Sequence, residues 1–149
     1  MSAMVDAASQ TMTVNATPQH CYDVVSAFEK YPEWAHDVKE ATVRARDGAG
    51  RATEVEFRAS ALGRSTHYIL RYDHSDAPKR LSWSLVKGDI MRVIDGAYEF
   101  TPSSTPQSSD VTYDLSIELL VPMPGFVKRR AEVRILDEAL KRLKSRVEG

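Results

Sequence analysis

Alternation dominates the middle of the chain. From Val38 onward, polar and apolar residues exchange places at every second position in runs broken by turn residues, the signature of half-buried antiparallel strands. Six such runs are read: Val38–Arg46, Thr53–Ala61, Ser65–Asp73, Arg80–Lys87, Met91–Thr101 and Asp110–Leu120. They are separated by Asp47-Gly48, Leu62-Gly63, a Ser75–Lys79 turn containing Pro78, Gly88-Asp89, and the proline- and serine-rich stretch 102–109. Each break is short enough for a hairpin or a small loop. In the last run Val111, Tyr113, Leu115, Ile117 and Leu119 share one side and Thr112, Asp114, Ser116 and Glu118 the other, so one face is buried and the other wet.

The two ends of the chain follow other rules. Residues 1–9 are small and polar and read as a flexible tail, after which Gln10–Ala16 forms a short strand. Thr17 is a good N-cap and Pro18 suits the first helical position, starting a helix that runs through Phe28 with Tyr22 and Val25 inward. Pro32-Glu33-Trp34 starts a second helix of one to two turns. Beyond the breaker Val121-Pro122-Met123-Pro124-Gly125, Phe126, Val133, Leu136, Leu140, Leu143 and Val147 recur at helical spacing. Such a stripe must lie on something apolar, and the inner face of the sheet is the only surface large enough. The expected fold is therefore α+β: a curved antiparallel sheet of about seven strands wrapped around a long C-terminal helix, with two short helices after strand one.

Composition narrows the possibilities further. At 149 residues the chain suits a single domain, 1–149, which at this size buries roughly 68–70% of its unfolded surface. Apolar and charged fractions of 42% and 28% are ordinary for a globular protein, and a net charge of −1 gives no reason to expect a nucleic-acid partner. Cys21 is the only cysteine, so no intrachain disulfide forms. The N-terminus lacks the apolar run of a signal peptide, and nowhere do about 18 apolar residues run together, which points to a cytoplasmic protein.

Readable catalytic signatures are missing. No phosphate loop, GxGxxG, GxSxG or paired acidic motif occurs, and no cofactor is implied. His20, His36, His67 and His74 show no metal-ligand spacing with one another or with Cys21, so no metal site is expected. Cys21 sits in the first turn of its helix, where the dipole favours thiolate, but neighbouring His20 points roughly 100° away around the helix and provides no base.

The segment FEKYPEWAHDV (Phe28–Val38), the strand-turn-strand WSLVKGDIMRVIDGAYEF, and the proline-glycine turn before the long helix resemble the START-like superfamily. Within it the chain is most similar to the polyketide cyclase/dehydrase and lipid-transport group, over nearly all of its length from about residue 10. The resemblance implies a helix-grip fold with a ligand cavity between sheet and C-terminal helix. Binding and transport of a small hydrophobic ligand (lipid, quinone or polyketide) is the leading expectation. A polyketide cyclase, aromatase or dehydrase using the same cavity is the alternative, and an interaction or stress-linked module without ligand a third.

Strand parity then nominates residues. Tyr68-Leu70-Tyr72, Leu81-Trp83-Leu85, Gly96-Tyr98-Phe100 and Val111-Tyr113-Leu115 line the inner face, and Tyr and Trp suit a pocket because each carries an apolar body with one polar tip. The expected ligand contacts are Trp34, Phe57, Tyr68, Leu70, Trp83, Leu85, Tyr98, Tyr113, Leu115, Phe126, Val133, Leu136 and Leu140, with the mouth near Trp34, His36 and Phe126. Family members that act as cyclases orient a polyketone with an arginine or tyrosine, a role that falls here to Arg92, Tyr98 or Tyr113. Arg71 opposes its apolar neighbours and faces solvent, whereas Arg92 shares parity with Ile94, Gly96 and Tyr98 and is expected inside. Residues 124–149 hold eight Lys or Arg against four Asp or Glu, a local charge of +4. Beside the apolar Val121–Val127 turn, that charge suits transient contact of Val121–Arg130 with an anionic membrane. The expected state is a monomer or weak homodimer.

Overall fold

The computed structural model describes residues 7–61 and 63–149. Seven strands form one antiparallel sheet: β1 (Ala8–Val14), β2 (Val38–Arg46), β3 (Ala52–Ala61), β4 (Arg64–Asp73), β5 (Arg80–Gly88), β6 (Met91–Pro102) and β7 (Ser109–Leu119). The spatial order is β1-β7-β6-β5-β4-β3-β2, a meander whose last strand takes β1 on its free edge. The alternating runs imply this antiparallel sheet, and the family resemblance implies its helix-grip arrangement. Of residues 1–9, read as a tail, Ala8 and Ser9 are in β1, held by pairing from Ala8↔Leu115 to Val14↔Ser109; residues 1–6 lie outside the described residues. The strand also ends two residues sooner than its polarity pattern suggests. Ser109 Oγ donates to the Ala16 carbonyl at 2.6 Å and turns the chain toward the helix.

Helix α1 (Pro18–Ser26) starts as its sequence requires, with the Thr17 hydroxyl accepting from the His20 N–H at 3.1 Å. A 3-10 turn (Phe28–Lys30) leads directly into α2 (Tyr31–Trp34). The long α3 (Gly125–Glu148) packs mainly on β1 and β7 on one side and touches α1 and α2 on the other. Leu136, Leu140 and Leu143 are wholly buried, and Gln10 Nε2 of β1 donates to Asp137 Oδ1 at 3.2 Å.

The apolar stripe of α3 differs from the expected one in its first two turns. Phe126 is 68% exposed and Val133 47%, while Glu132 is fully buried. The buried row is Glu132, Leu136, Leu140, Leu143 and Val147, spaced by four, four, three and four residues, which keeps one face toward the sheet. Val133 lies about 100° around the helix from that row, and Phe126 precedes the part of α3 that meets the sheet. A carboxylate occupies the position the pattern reserves for an apolar residue because a strand edge needs it. β1 pairs with β7 only as far as Leu115, so the Ile117 N–H has no strand partner on that side and donates to Glu132 Oε2 at 2.9 Å.

A second departure lies in β6, whose pairing with β7 slips between Met91 and Val93. The bulge inserts one residue, so Met91 is buried, Arg92 is exposed, and the inward order resumes at Ile94, Gly96, Tyr98 and Phe100. Arg92, expected inside, points out and pairs with Glu118 at 3.1 Å. Parity counted through an unseen bulge assigns the wrong face. Gly63 turns the β3–β4 hairpin with φ +76°, a conformation that favours glycine; Leu62, read as the other turn residue, lies outside the described residues.

Candidate functional site

Alternation brings the large aromatics of five strands onto one surface, which α2 extends. Ring centroids run from Trp34 to Tyr31 (5.1 Å), Tyr31 to Phe57 (6.0 Å), Phe57 to Tyr68 (5.5 Å), and Phe57 to Tyr72 (6.5 Å). The run continues from Tyr72 to Trp83 (5.7 Å), Trp83 to Tyr98 (5.5 Å) and Tyr98 to Tyr113 (4.5 Å). It spans β3 to β7 without a gap and faces α3. Mixed tilted and edge-on geometries are those that aromatic quadrupoles prefer, so the wall is cohesive on its own account. Leu70, Leu115, Leu136 and Leu140 are buried beside it and Leu85 half-buried.

Of the residues expected to meet a ligand, the structure brings together Trp34, Phe57, Tyr68, Leu70, Trp83, Leu85, Tyr98, Tyr113, Leu115, Leu136 and Leu140, and leaves Phe126 and Val133 on the surface. The wall also contains Tyr31 and Tyr72. Tyr72 follows from parity. Tyr31 does not, because before Pro32 it reads as a helix interruption; its anchor, a hydroxyl donating to the Val25 carbonyl at 2.5 Å, exists only once α1 and α2 have folded back.

The polar tips of this wall are unusual. The hydroxyls of Tyr68, Tyr72, Tyr98 and Tyr113 make no hydrogen bond with any described residue, and none of these oxygens is sealed: each keeps accessible surface, as an unpartnered phenol inside a fold requires. Burial pushes the Tyr72, Tyr98 and Tyr113 phenols well above the ordinary range, and ionised neighbours in the same group would push them further. Burial, with a smaller contribution from the Asp37 carboxylate, pushes Tyr68 up to about 12. Every one is therefore protonated at neutral pH and acts as a donor. None can serve as a general base there, because the phenolate is inaccessible.

Other candidate chemistry is occupied structurally. His74 is buried between the Tyr22 hydroxyl, 2.7 Å from Nδ1, and the Ala52 carbonyl, 2.6 Å from Nε2. A carbonyl only accepts, so Nε2 carries a proton, and with Nδ1 hydrogen-bonded to the Tyr22 hydroxyl neither nitrogen is left for a metal or substrate. Cys21 is fully buried, and desolvation raises its thiol pKa against the lowering effect of Ser109, so the helix start does not yield a thiolate. Among the described residues no group of three His, Cys, Asp or Glu is arranged for a metal ion. No helix among them is long and apolar enough to cross a membrane.

Two concavities border the wall. One, about 810 Å³, runs along the strand ends and outer face of β3–β6 among Arg51, Arg71, Asp73, Ser82 and Asp95. The other, about 400 Å³, opens between α2 and α3, with Trp34, Arg142 and Ser145 among its lining residues.

Comparison with solved structures places this arrangement. A START superfamily protein from Mycobacterium smegmatis shares 26% identity and superposes with a TM-score of 0.90, covering 95% of this chain and 97% of its own. A protein from Thermus thermophilus matches at 22% identity and TM-score 0.78, again over 95% and 97% of the two chains. The Zhui aromatase/cyclase from a Streptomyces species shares the fold at 12% identity and TM-score 0.76, over 95% of this chain and 93% of its own. No curated protein matches the chain. The family described as polyketide cyclase/dehydrase and lipid transport matches residues 6–148. With that match over residues 6–148 and the superposition on a START superfamily protein, the chain belongs to that family and, through it, to the START-like ligand-binding domains.

Proposed function

We propose that the protein binds a small, mainly apolar ligand bearing hydrogen-bond-accepting oxygens, held between the aromatic wall and α3. The observation that carries this reading is the set of four inward phenols, Tyr68, Tyr72, Tyr98 and Tyr113, all donors and all without a partner among the described residues. Tyr31 and Tyr68 are half-buried, and none of the four unpartnered phenol oxygens is fully enclosed, which supports room for a ligand atom beside them. Phe57, Leu70, Leu115, Leu136 and Leu140 supply apolar contact, and the phenols supply orientation. Quinones and aromatic polyketides combine flat apolar rings with carbonyl oxygens and satisfy both; a saturated hydrocarbon satisfies only the first.

Carrier-type binding fits better than catalysis. Arg92 is turned outward, and the four phenols of the described wall are protonated donors that hold a carbonyl but do not act as bases. A cyclase that polarises a carbonyl through Tyr98 and Tyr113 is the second reading, favoured by their ring separation of 4.5 Å.

The test is a thermal-shift and calorimetric panel of 1,4-naphthoquinone, a hydroxyanthraquinone and hexadecane. The oxygenated ring compounds are expected to stabilise the protein, by about 2.7 kcal/mol at a hundredfold excess over Kd. In Tyr98→Phe/Tyr113→Phe, their affinity should fall about tenfold, the scale of lost hydrogen bonds. Equal binding of hexadecane, or none by any compound, sinks the proposal. Turnover of a polyketone surrogate that the double variant abolishes would favour the cyclase.

Exchange of ligand with a membrane has its own support. Leu120, Val121 and Phe126 are 57%, 75% and 68% exposed around the β7–α3 turn, with Arg130 and Arg134 exposed on the first turns of α3. Such a surface suits an anionic interface, where each cation contributes about 1 kcal/mol. Flotation with phosphatidylserine vesicles should recover the wild type, and Val121→Asp/Phe126→Asp should remain in the soluble fraction. Recovery of both to the same extent argues against membrane exchange through this turn.

A further inference from the structure

We infer that the cleft between α2 and α3 is a carboxylate site. Among the described residues, two of the three buried polar side-chain atoms without a partner, Trp34 Nε1 and Arg142 Nη1, belong to side chains that line this one cleft of about 400 Å³. Trp34 is 6% exposed, so its N–H has no bulk water to use. The indole N–H only donates, and the guanidinium only donates and is always charged. Their shared deficit is an acceptor, and the charge on Arg142 asks for a negative one.

The neighbouring charges leave that need unmet. Glu33, the one acid lining the cleft, is engaged by Arg146 at 2.9 Å. Lys141 is engaged by Asp137 at 2.9 Å, and Asp137 also accepts from Gln10. His36 is exposed at the rim and adds no acid. An unpaired guanidinium atom sealed from water is costly unless a second oxyanion arrives from outside. A carboxylate meets the need with its two oxygens, one for the indole N–H and one for the guanidinium, and its charge strengthens both hydrogen bonds.

The site stands on these contacts whether or not the aromatic interior holds a ligand, but the two adjoin. Trp34 packs on Tyr31 and Tyr31 on Phe57, so the cleft borders the end of the aromatic wall. The source of the carboxylate is either a free small acid or the head of an amphiphile.

Indole resonances separate these cases. The chain has two tryptophans, Trp34 and Trp83, so protein carrying ¹⁵N-tryptophan shows two indole N–H signals, assigned with Trp34→Phe. Butyrate is expected to move the Trp34 signal saturably and leave Trp83 in place, and n-butanol at equal concentration to move neither. Arg142→Gln should weaken the butyrate isotherm about tenfold or more, and Arg142→Lys, which keeps charge without the planar fork, should fall between. Circular dichroism and melting of each variant confirm the fold. Dodecanoate binding far tighter than butyrate identifies an amphiphile head; equal affinities identify a free acid. Failure of quinones to bind leaves this result standing, since the butyrate titration reads the cleft alone. The inference is overturned by a Trp34 signal that ignores butyrate, that answers butanol equally, or that gives the same isotherm in folded Arg142→Gln.

Discussion

Glu132→Ala is expected to cost about 3–5 kcal/mol, as breaking a buried ion pair does, and to be among the most damaging single changes on α3. Glu132 has no exposed surface; its Oε2 accepts from the Ile117 N–H at 2.9 Å and from Lys128 Nζ at 2.6 Å, and Arg129 stands 3.6 Å from Oε1. Alanine removes the acceptor for a strand-edge N–H and leaves the Lys128 ammonium, only 21% exposed, without its partner. Glu132→Gln keeps the shape and one acceptor oxygen and should lose roughly half as much, since a neutral hydrogen bond is about half as strong as a charge-assisted one. Glu132→Leu/Lys128→Leu, which removes both charges, should recover much of the loss, because a well-packed apolar pair can replace a buried ion pair. Urea midpoints at constant m-value are the measurement. A Glu132→Ala protein within about 1 kcal/mol of wild type would show that the carboxylate does not join α3 to β7.

Gly96→Val should destabilise by about 3 kcal/mol, the upper end for overpacking, and should also remove the ligand response. The reason is one contact. A Cβ built on Gly96 lies 2.4 Å from Trp83 Cε2 and Cζ2 and 2.6 Å from Nε1, distances that no relaxed packing permits. The indole cannot swing aside cheaply, because Tyr72, Tyr98 and Tyr113 all pack on it at 5.5–5.7 Å. The backbone pairing Trp83↔Gly96 holds the two residues directly opposite each other. The clash is therefore relieved only by moving the middle of the aromatic wall. Trp83→Leu is the control: it costs stability by itself, but Gly96→Val added to it should cost much less than in the wild type. A double-mutant cycle with additive losses would mean that the indole and the glycine are not coupled.

Much of the architecture is legible along the chain, because antiparallel strands with one wet face repeat every two residues. The polarity pattern places Val38–Arg46 at its observed bounds and the other five runs within one residue at each end. Thr17 and Pro18 mark the start of α1 through local capping chemistry that needs no tertiary partner. The inward aromatics of β4 to β7 follow from the same period of two.

Parity cannot show a position whose environment depends on a distant element. The bulge at Met91–Val93 is a property of β6 against β7, and it alone turns Arg92 outward. Glu132 carries the charge of a solvent-facing residue, although its spacing to Leu136, Leu140, Leu143 and Val147 places it on the buried row; the reason to bury it, an edge N–H beyond the end of β1, lies on another strand. Tyr31 joins the wall through Phe57 of β3, and Arg142 shares its cleft with Trp34 across more than a hundred residues of chain.

Strand, helix and turn, and the apolar face of most strands, are set by local sterics and a short hydrophobic period, so the chain alone carries them. Which polar atoms are left without partners inside is a property of the folded molecule. It depends on the full census of neighbours around each donor: among the described residues, an indole N–H and a guanidinium nitrogen enclosed beside the cleft between α2 and α3, and four phenols that keep accessible surface but have no hydrogen-bond partner. Hydrogen-bond satisfaction is a sum over contacts made in space, and no period along the chain encodes it.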